Sequence, residues 1–351
     1  VAMVQRPRAT LKQIAKHCGV SHTTVSMVIN NSPRISPETR EKVLVAIKKF
    51  NYHPNAAARS LVMSRTNTIG LVGTMFASPY YNDIIHGIEM ECRHLGLDIK
   101  IYNAEQTGAD FSEAYDKIFG ERSCDVIITI SMPMNDEVVD RFQKEDMALV
   151  MLQPVLEAGK ASDKVPTIFI DDKKGIYKAV SYLINVGHKR IGLLNGPTTL
   201  MTCRDRQEAY LQALKDHGLP STDEFVATCN LPDPFVFEAG YVAANELYDK
   251  NPQITAVCCV SDPMALGAIK FYRQKGISVP DDMSVIGYDD TYIARLTDPA
   301  LTTLHQPLFE MGKQAVTMAH AIVNNLPIQS IHKSFETELV VRESVKPATN
   351  A

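Results

Sequence analysis

Between Ser21 and Met27 the sequence sets hydroxyls, an imidazole and a thioether at helical spacing. Val25, Val28 and Ile29 repeat on one face of such a helix, because residues three and four apart lie side by side. His22, Thr23, Ser26 and Met27 are left on the opposite face. A short helix that presents its first turns outward in this way fits the major groove of DNA, where each base edge is distinguishable. Two further residues could hold a small molecule. Asp262 follows the apolar run Ala256–Ser261 and precedes a helical stretch, so its carboxylate could accept bonds from ligand hydroxyls. Arg206 opens a helical stretch after Asn195-Gly-Pro197, and its guanidinium fork suits paired oxygens. The sequence contains no HExxH, GxSxG or GxxxxGK[ST], and no GxGxxG after a strand, so it carries no metal, nucleophile or nucleotide signature of those kinds. The acidic pairs Asp171-Asp172, Asp281-Asp282 and Asp289-Asp290 fall at strand ends and turns and read as caps. No metal and no cofactor is expected, and no catalysis.

The outward polar helix needs a scaffold, and the flanking sequence supplies one. Thr10 is suited to cap a helix over Leu11–Cys18, where Ile14 and Cys18 share a face and Ala15 allows close crossing. Gly19 falls at the turn, where positive φ costs glycine least. Ser21 is placed to cap the second helix. Ser36-Pro37 starts a third, and Val43, Leu44, Ile47 and Phe50 are expected to close a three-helix core. Asn55–Val62 could add two helical turns, too short to persist alone in water.

Charge separates this head from the rest. Residues 1–66 hold eleven Lys or Arg against two acids, a formal +9, whereas the whole chain is −4, leaving −13 on the other 285 residues. A basic head on an acidic body points to an anionic polymer as partner of the head. At 351 residues, 45% hydrophobic and 22% charged, the chain is neither disordered nor a stapled miniprotein, and two or three domains are expected. No apolar run approaches membrane-spanning length, and no membrane partner is expected. The first ten residues have no apolar core or small-residue cleavage site, so no secretory signal is expected. Seven cysteines without a CxxC pair fit reduced thiols in a cytoplasm.

From Thr68 onward, apolar runs alternate with amphipathic stretches in two series, broken near residue 190. Strands alternating with helices imply doubly wound parallel sheets covered on both faces, here as two lobes. Ligands in such sheets sit outside the carboxyl ends of the strands.

The segments Ala9-Thr-Leu-Lys-Gln-Ile-Ala-Lys, Gly-Val-Ser21, Thr24-Val-Ser, Val-Ile-Asn30 and Tyr52 to Leu61 resemble the headpiece and hinge of the lactose/galactose repressor family of bacterial transcription regulators. The likeness runs over about residues 9–345. It implies an all-α helix-turn-helix headpiece (1–54), a hinge helix and linker (55–66) and a two-lobed periplasmic-binding-protein-like body (67–351). The N-lobe would be about 67–170 and 302–330, the C-lobe about 171–301 and 331–351.

By the same resemblance His22, Thr23 and Met27 read bases, with Thr10, Ser21, Thr24, Ser26, Asn30, Tyr52 and Asn55 also facing DNA. Met27 departs from the Arg or His often found there, so it would touch a thymine methyl rather than guanine. Hinge helices would meet in the minor groove, with Leu61 as a wedge, Ala58 beside it and Arg59 near phosphate.

In the cleft, Arg206 and Asp262 match effector contacts, although Ala209 stands where glycine is usual. Tyr80 and Phe235 match aromatic contacts, and Gln306 a polar one. The expected function is a sequence-specific regulator, a repressor, that binds a palindromic operator in double-stranded DNA as a homodimer. Its expected effector is a carbohydrate or sugar derivative, with a purine-like corepressor as the alternative. One branch of the family adds a phosphoprotein corepressor. Two rival readings are a sugar-binding transport protein, opposed by the basic head, and an α/β enzyme, opposed by the want of a nucleophile or cofactor loop.

Overall fold

The computed structural model describes residues 9–29, 32–52, 65–74, 78–104, 111–156, 165–231 and 233–348. It divides into one unit up to Thr66 and another from Asn67.

The first unit holds three described helices, α1 (Leu11–Cys18), α2 (His22–Ile29) and α3 (Pro37–Lys49). Their ends are set locally. Thr10 Oγ1 accepts from Gln13 N at 3.3 Å while Gln13 Oε1 accepts from Thr10 N at 2.8 Å, a reciprocal capping box. Gly19 closes α1 at φ 63°. Ser21 and Ser36 each accept from the backbone N–H three residues on, at 3.0 and 3.3 Å. Ile14, Ala15, Cys18, Val25, Val28, Val43 and Ala46 form the core. Leu44 does not join it. It is 46% exposed, because one helical step from Val43 turns it about 100° off the face that Ala46, Ile47 and Phe50 share.

The second unit contains two parallel sheets. The first has the order β13-β7-β5-β3-β1-β2, from β1 (Thr68–Gly73), β2 (Asp98–Asn103), β3 (Val126–Ile130), β5 (Ala148–Leu152), β7 (Thr167–Ile170) and β13 (His332–Phe335). The second has the order β11-β10-β8-β9, from β8 (Ile191–Asn195), β9 (Val226–Thr228), β10 (Ala256–Cys259) and β11 (Ser284–Ile286). Strands β3, β8 and β10 are buried along their whole length, as parallel strands roofed on both faces must be. Cys258 and Cys259 are wholly buried in the second core. Two-residue strands β4 (Pro133–Met134) and β6 (Val155–Leu156) pair beside the first sheet.

The chain crosses between the sheets three times. The first crossing lies at Asp171-Asp172, after β7 and into the helix α7 (Asp172–Asn185). The other two differ from the sequence expectation. Strand β12 (Thr303–His305) pairs with β14 (Glu338–Val340) and bridges residues at the end of β11. Residues 302–305 therefore belong with the second lobe, and the expected start of the N-lobe return at 302 moves past Gln306. Strand β13 pairs with β7 in the first sheet, so the expected return to the C-lobe at 331 moves past Phe335. The helix α11 (Leu308–Val323) packs into the first lobe's core through Leu308, Met311, Ala315 and Val316. The other helices of this unit are α4 (Pro79–Leu95), α5 (Ser112–Glu121), α6 (Asp136–Lys144), α8 (Met201–Asp216), α9 (Phe237–Lys250) and α10 (Asp262–Gln274).

Helices α9 and α10 touch backbone to backbone. A Cβ on Gly267 would lie 2.0 Å from Phe237 O, and one on Gly240 would lie 1.9 Å from Met264 O. Gly267→Ala should therefore destabilise the body by about 1–3 kcal/mol, as overpacking does. Gly120, in α5 with open space around it, should gain about 0.5–1 kcal/mol on change to Ala. Urea unfolding monitored by circular dichroism measures both, and equal effects would contradict this packing.

Candidate effector cleft and nucleic-acid interface

In the headpiece, His22 and Thr23 are exposed in the first turn of α2, with Ser26 and Met27 half-buried one turn on. Thr10 and Ser21 spend their hydroxyls on caps, and Ser21 Oγ also lies 2.9 Å from Thr24 Oγ1. Tyr52 packs against the three-helix core. Lys12, Lys16, Arg34, Lys48 and Lys49 are exposed. Asn30, Asn55, Ala58, Arg59 and Leu61 lie outside the described residues.

The cleft is built at the crossings. Arg206 rises from the second turn of α8 and is 5% exposed. Its Nε and Nη2 donate to Asp172 Oδ1 at 3.1 and 2.8 Å, and its Nη1 donates to the Val260 carbonyl. Tyr288 donates its hydroxyl to the same Oδ1 at 2.8 Å, and its ring centroid lies 4.0 Å from the guanidinium carbon. The ring of Phe235 is 6.0 Å from that carbon. Burial opposes the Arg206 charge, but Asp172 outweighs it and holds the guanidinium ionised well above its ordinary range. Burial, then Asp172, pushes the Tyr288 phenol upward. From the first lobe, Gln153 Nε2 donates to Asp172 Oδ2 at 3.3 Å, while Gln153 Oε1 accepts from Ile170 N at 2.8 Å. Asp172 thus joins both lobes.

Tyr80 stands half-buried at the start of α4, edge-on to Tyr81 at 5.5 Å. Its phenol is raised by burial, then by Tyr81, Asp289 and Asp172. Tyr80, of the first lobe, thus lies within reach of the charges of the second-lobe acids Asp289 and Asp172. Gln306 is 2% exposed and donates through Nε2 to Asp289 Oδ1 at 2.5 Å, whereas its buried Oε1 has no partner among the described residues. Four of the five expected cleft residues, Tyr80, Arg206, Phe235 and Gln306, are therefore brought together.

Asp262 is the exception. It is wholly buried, and its carboxylate is taken up inside the second lobe. Thr291 donates to Oδ2 through its N–H at 2.7 Å and its hydroxyl at 3.1 Å, and Thr303 donates to Oδ1 at 2.6 Å. Asp289 is 6% exposed, and its charge bears on Tyr80 and Arg206. Burial first, then Asp262, pushes the Asp289 carboxyl well above the usual range. Asp289 and Asp290 have φ of 119° and 54°. Such left-handed backbone is costly for residues with a side chain and persists only where its surroundings hold it. Here the two carboxylates diverge, Asp289 to Gln306 and Asp290 to His305 at 3.1 Å and Arg342 at 2.5 Å. Burial opposes the Asp290 charge, but His305 and Arg342 hold its carboxyl below the usual range. Sequence reasoning missed Asp172, Tyr288 and Asp289. Its one signal was the acidic pairs, which it took for caps. Asp171 does cap, accepting from Lys174 N at 3.0 Å, whereas Asp282 closes a turn by accepting from Ser278 N at 2.8 Å.

A capped helix-turn-helix unit and a two-lobed body with a buried polar cleft now have counterparts. Residues 10–55 match the model of bacterial regulatory proteins of the lacI family, and residues 180–345 match a periplasmic binding protein-like domain. The HTH-type transcriptional repressor PurR of Pasteurella multocida (strain Pm70) is 34% identical over 340 residues, covering 96% of this chain and 99% of that protein. The chain belongs to the lacI family of bacterial regulatory proteins. The HTH-type transcriptional regulator GalR of Escherichia coli (strain K12) is 33% identical, covering 96% of each. A transcriptional regulator CelR–cellobiose complex shares the fold at TM-score 0.71 and 29% identity, over 97% of this chain and 100% of that one. The lac repressor dimer bound to operator and the anti-inducer ONPF superposes at TM-score 0.84 and 24% identity, with the same coverage. This lacI-family chain is an effector-controlled DNA-binding transcriptional regulator, and its relatives are regulators, not enzymes. Among its described residues, no helix is long and apolar enough to cross a membrane.

Asp172 and Arg206 are each under a tenth exposed. Removing one partner strands the other's charge out of water. Asp172→Ala should cost about 3–5 kcal/mol, and Asp172→Leu combined with Arg206→Met should recover most of it. Thermal and urea unfolding of the three proteins checks this. A double variant less stable than the single would contradict it.

Proposed function

We propose that this regulator is a repressor that binds a palindromic operator as a homodimer in the cytoplasm, and that a sugar or sugar derivative in the cleft controls it. The observation that carries the effector half is the polar constellation of Asp172, Arg206, Tyr288, Asp289 and Gln306 at the crossings, with Tyr80 opposite. A molecule that joined these groups would bind both lobes at once. Such a ligand favours one lobe arrangement by as much as its affinities for the two differ. Tyr80, Arg206, Phe235, Asp289 and Gln306 are assigned to contact it. The bound cellobiose of the CelR structure supports the sugar assignment.

The DNA half rests on the basic head. His22, Thr23 and Met27 are assigned to base edges, with Thr24, Ser26, Asn30, Tyr52 and Asn55 beside them. Residues 1–54 form the headpiece of this reading, 55–66 its hinge, and 67–351 its effector and dimer body. In the hinge, Leu61 is the wedge, flanked by Ala58 and Arg59. Two-fold symmetry follows from the operator, since paired half-sites call for paired heads. Lobe rearrangement then alters hinge spacing and so operator affinity. A coupling of about 1–3 kcal/mol gives about 5–150-fold regulation.

Leu61→Ala should weaken operator binding at least about tenfold, the equivalent of about 1.4 kcal/mol, without changing the unfolding midpoint of the body. A gel-shift titration with selected genomic operators reads the change, and unaltered affinity would count against the wedge. Wild-type affinity should also fall steeply with salt, by about a thousandfold between about 50 and 200 mM if six or more phosphates are neutralised. A flat salt profile would argue against the basic head as the DNA-binding surface.

A further inference from the structure

Beside the second crossing, one imidazole stands among acids of both lobes. His305 ends β12 and is half-buried. Its Nδ1 lies 3.1 Å from Asp290 Oδ2. Glu338 is its partner in the register of β12 and β14. Asp83, exposed on α4 of the first lobe, adds its field. Arg342 also faces this group, but it is committed. Its Nη2 donates to Asp290 Oδ1 at 2.5 Å and its Nη1 to the Leu301 carbonyl at 2.7 Å. Asp290 foremost, then Glu338 and Asp83, outweigh burial and raise the imidazole above its ordinary range. The same strand end is laced to the cleft wall. Asp289 N donates to Leu304 O at 2.9 Å, and Gln306 N donates to Asp289 O at 3.3 Å. His305 and Gln306 thus hold Asp290 and Asp289 side by side, just before the chain passes into α11.

We propose that His305 positions the lobes as a proton-operated latch: its imidazolium, seated on Asp290, draws β12 and α4 together through Asp83, and loss of the proton lets the lobes part. The inference rests on the reading that lobe arrangement sets hinge spacing, and it adds the proton as an input beside the effector. A charged ring serves Asp290 and Glu338 in the second lobe and Asp83 in the first. A neutral ring keeps only its hydrogen bond to Asp290, and the attraction across the lobes is gone. The drawn-together arrangement is therefore favoured at acid pH. It persists past the ordinary imidazole value of about 6.5 and is lost as pH rises through the raised value. A half-exposed ion pair is a modest device, so the ratio of the two arrangements changes about two- to fivefold.

All seven cysteines are buried, so spin labels on Lys144→Cys in α6 and Lys215→Cys in α8, both exposed positions, report a distance across the lobes. Pulsed EPR is run on the full chain, diluted with unlabelled chain and free of effector and DNA, between about pH 5.5 and about 8.5, either side of the ordinary imidazole value. The shorter-distance population should fall about two- to fivefold as pH rises. His305→Gln should flatten that profile. So should Asp83→Asn, which leaves the second lobe untouched, and His305→Lys should hold the acid-pH distance throughout. A distance that ignores pH in the unaltered chain would overturn the proposal, as would one that moves as far in His305→Gln or in Asp83→Asn. Gel shifts on operator DNA over the same range keep the two readings apart. The pH dependence of operator affinity should weaken in His305→Gln. Lobes that respond to pH while both proteins keep identical operator profiles would uphold the latch and overturn the link between lobes and hinges.

Discussion

One carboxylate oxygen, Asp172 Oδ1, takes three donors: two from Arg206 and one from Tyr288. Neither the acid nor the guanidinium is more than a tenth exposed. Out of water, each charge is tolerable only because the other is there. Asp172 is also where the chain first passes between lobes, and Gln153 of the first lobe reaches its second oxygen. The pair therefore ties the two lobes together at the first crossing. Its net stabilisation is modest compared with an apolar replacement. What it supplies is a defined geometry at the crossing, since a buried polar network is stable only when fully satisfied.

The second and third crossings repeat the theme with less charge. Gln306 leads from β12 into α11, and Thr337 links β13 to β14. Both are nearly inaccessible, and each keeps a polar atom without a partner among the described residues. A buried unsatisfied acceptor costs free energy. At Gln306 that cost is borne beside Asp289, whose backbone is itself held at positive φ. Strain and unmet hydrogen-bonding capacity thus fall in the place where a ligand could relieve them. In the headpiece the polar groups are used in the opposite sense. Thr10, Ser21 and Ser36 are consumed in caps, which leaves a rigid support for His22 and Thr23 to project from.

Much of the head was legible from order along the chain. Caps, the turn glycine and the apolar spacing act within a few residues, so their partners stand next to them in the sequence. Leu44 shows the limit, because three- and four-residue spacings admit more than one face and only the partner helices choose. The alternation of the body was legible too, since parallel strands roofed on both sides must be continuously apolar. Strand β13, His332-Lys-Ser-Phe335, was not. It is short, largely exposed and polar at an edge, and nothing in its composition announces a partner 165 positions earlier.

The acids divide along the same line. Asp262 and Asp289 both follow apolar strands, and no local feature tells which carboxylate is consumed by neighbouring threonines and which is left to Gln306. The sequence by itself determined the basic head, its capped helices and the doubly wound lobes, since these follow from neighbours, periodicity and charge. Tertiary structure alone decided that Thr291 and Thr303 would consume Asp262, that Asp289 would stand at the cleft, and that Asp172 would pin Arg206. A carboxylate's role depends on which donors surround it and on how far water is kept away. Those donors are brought together by the chain's three crossings, not by its order.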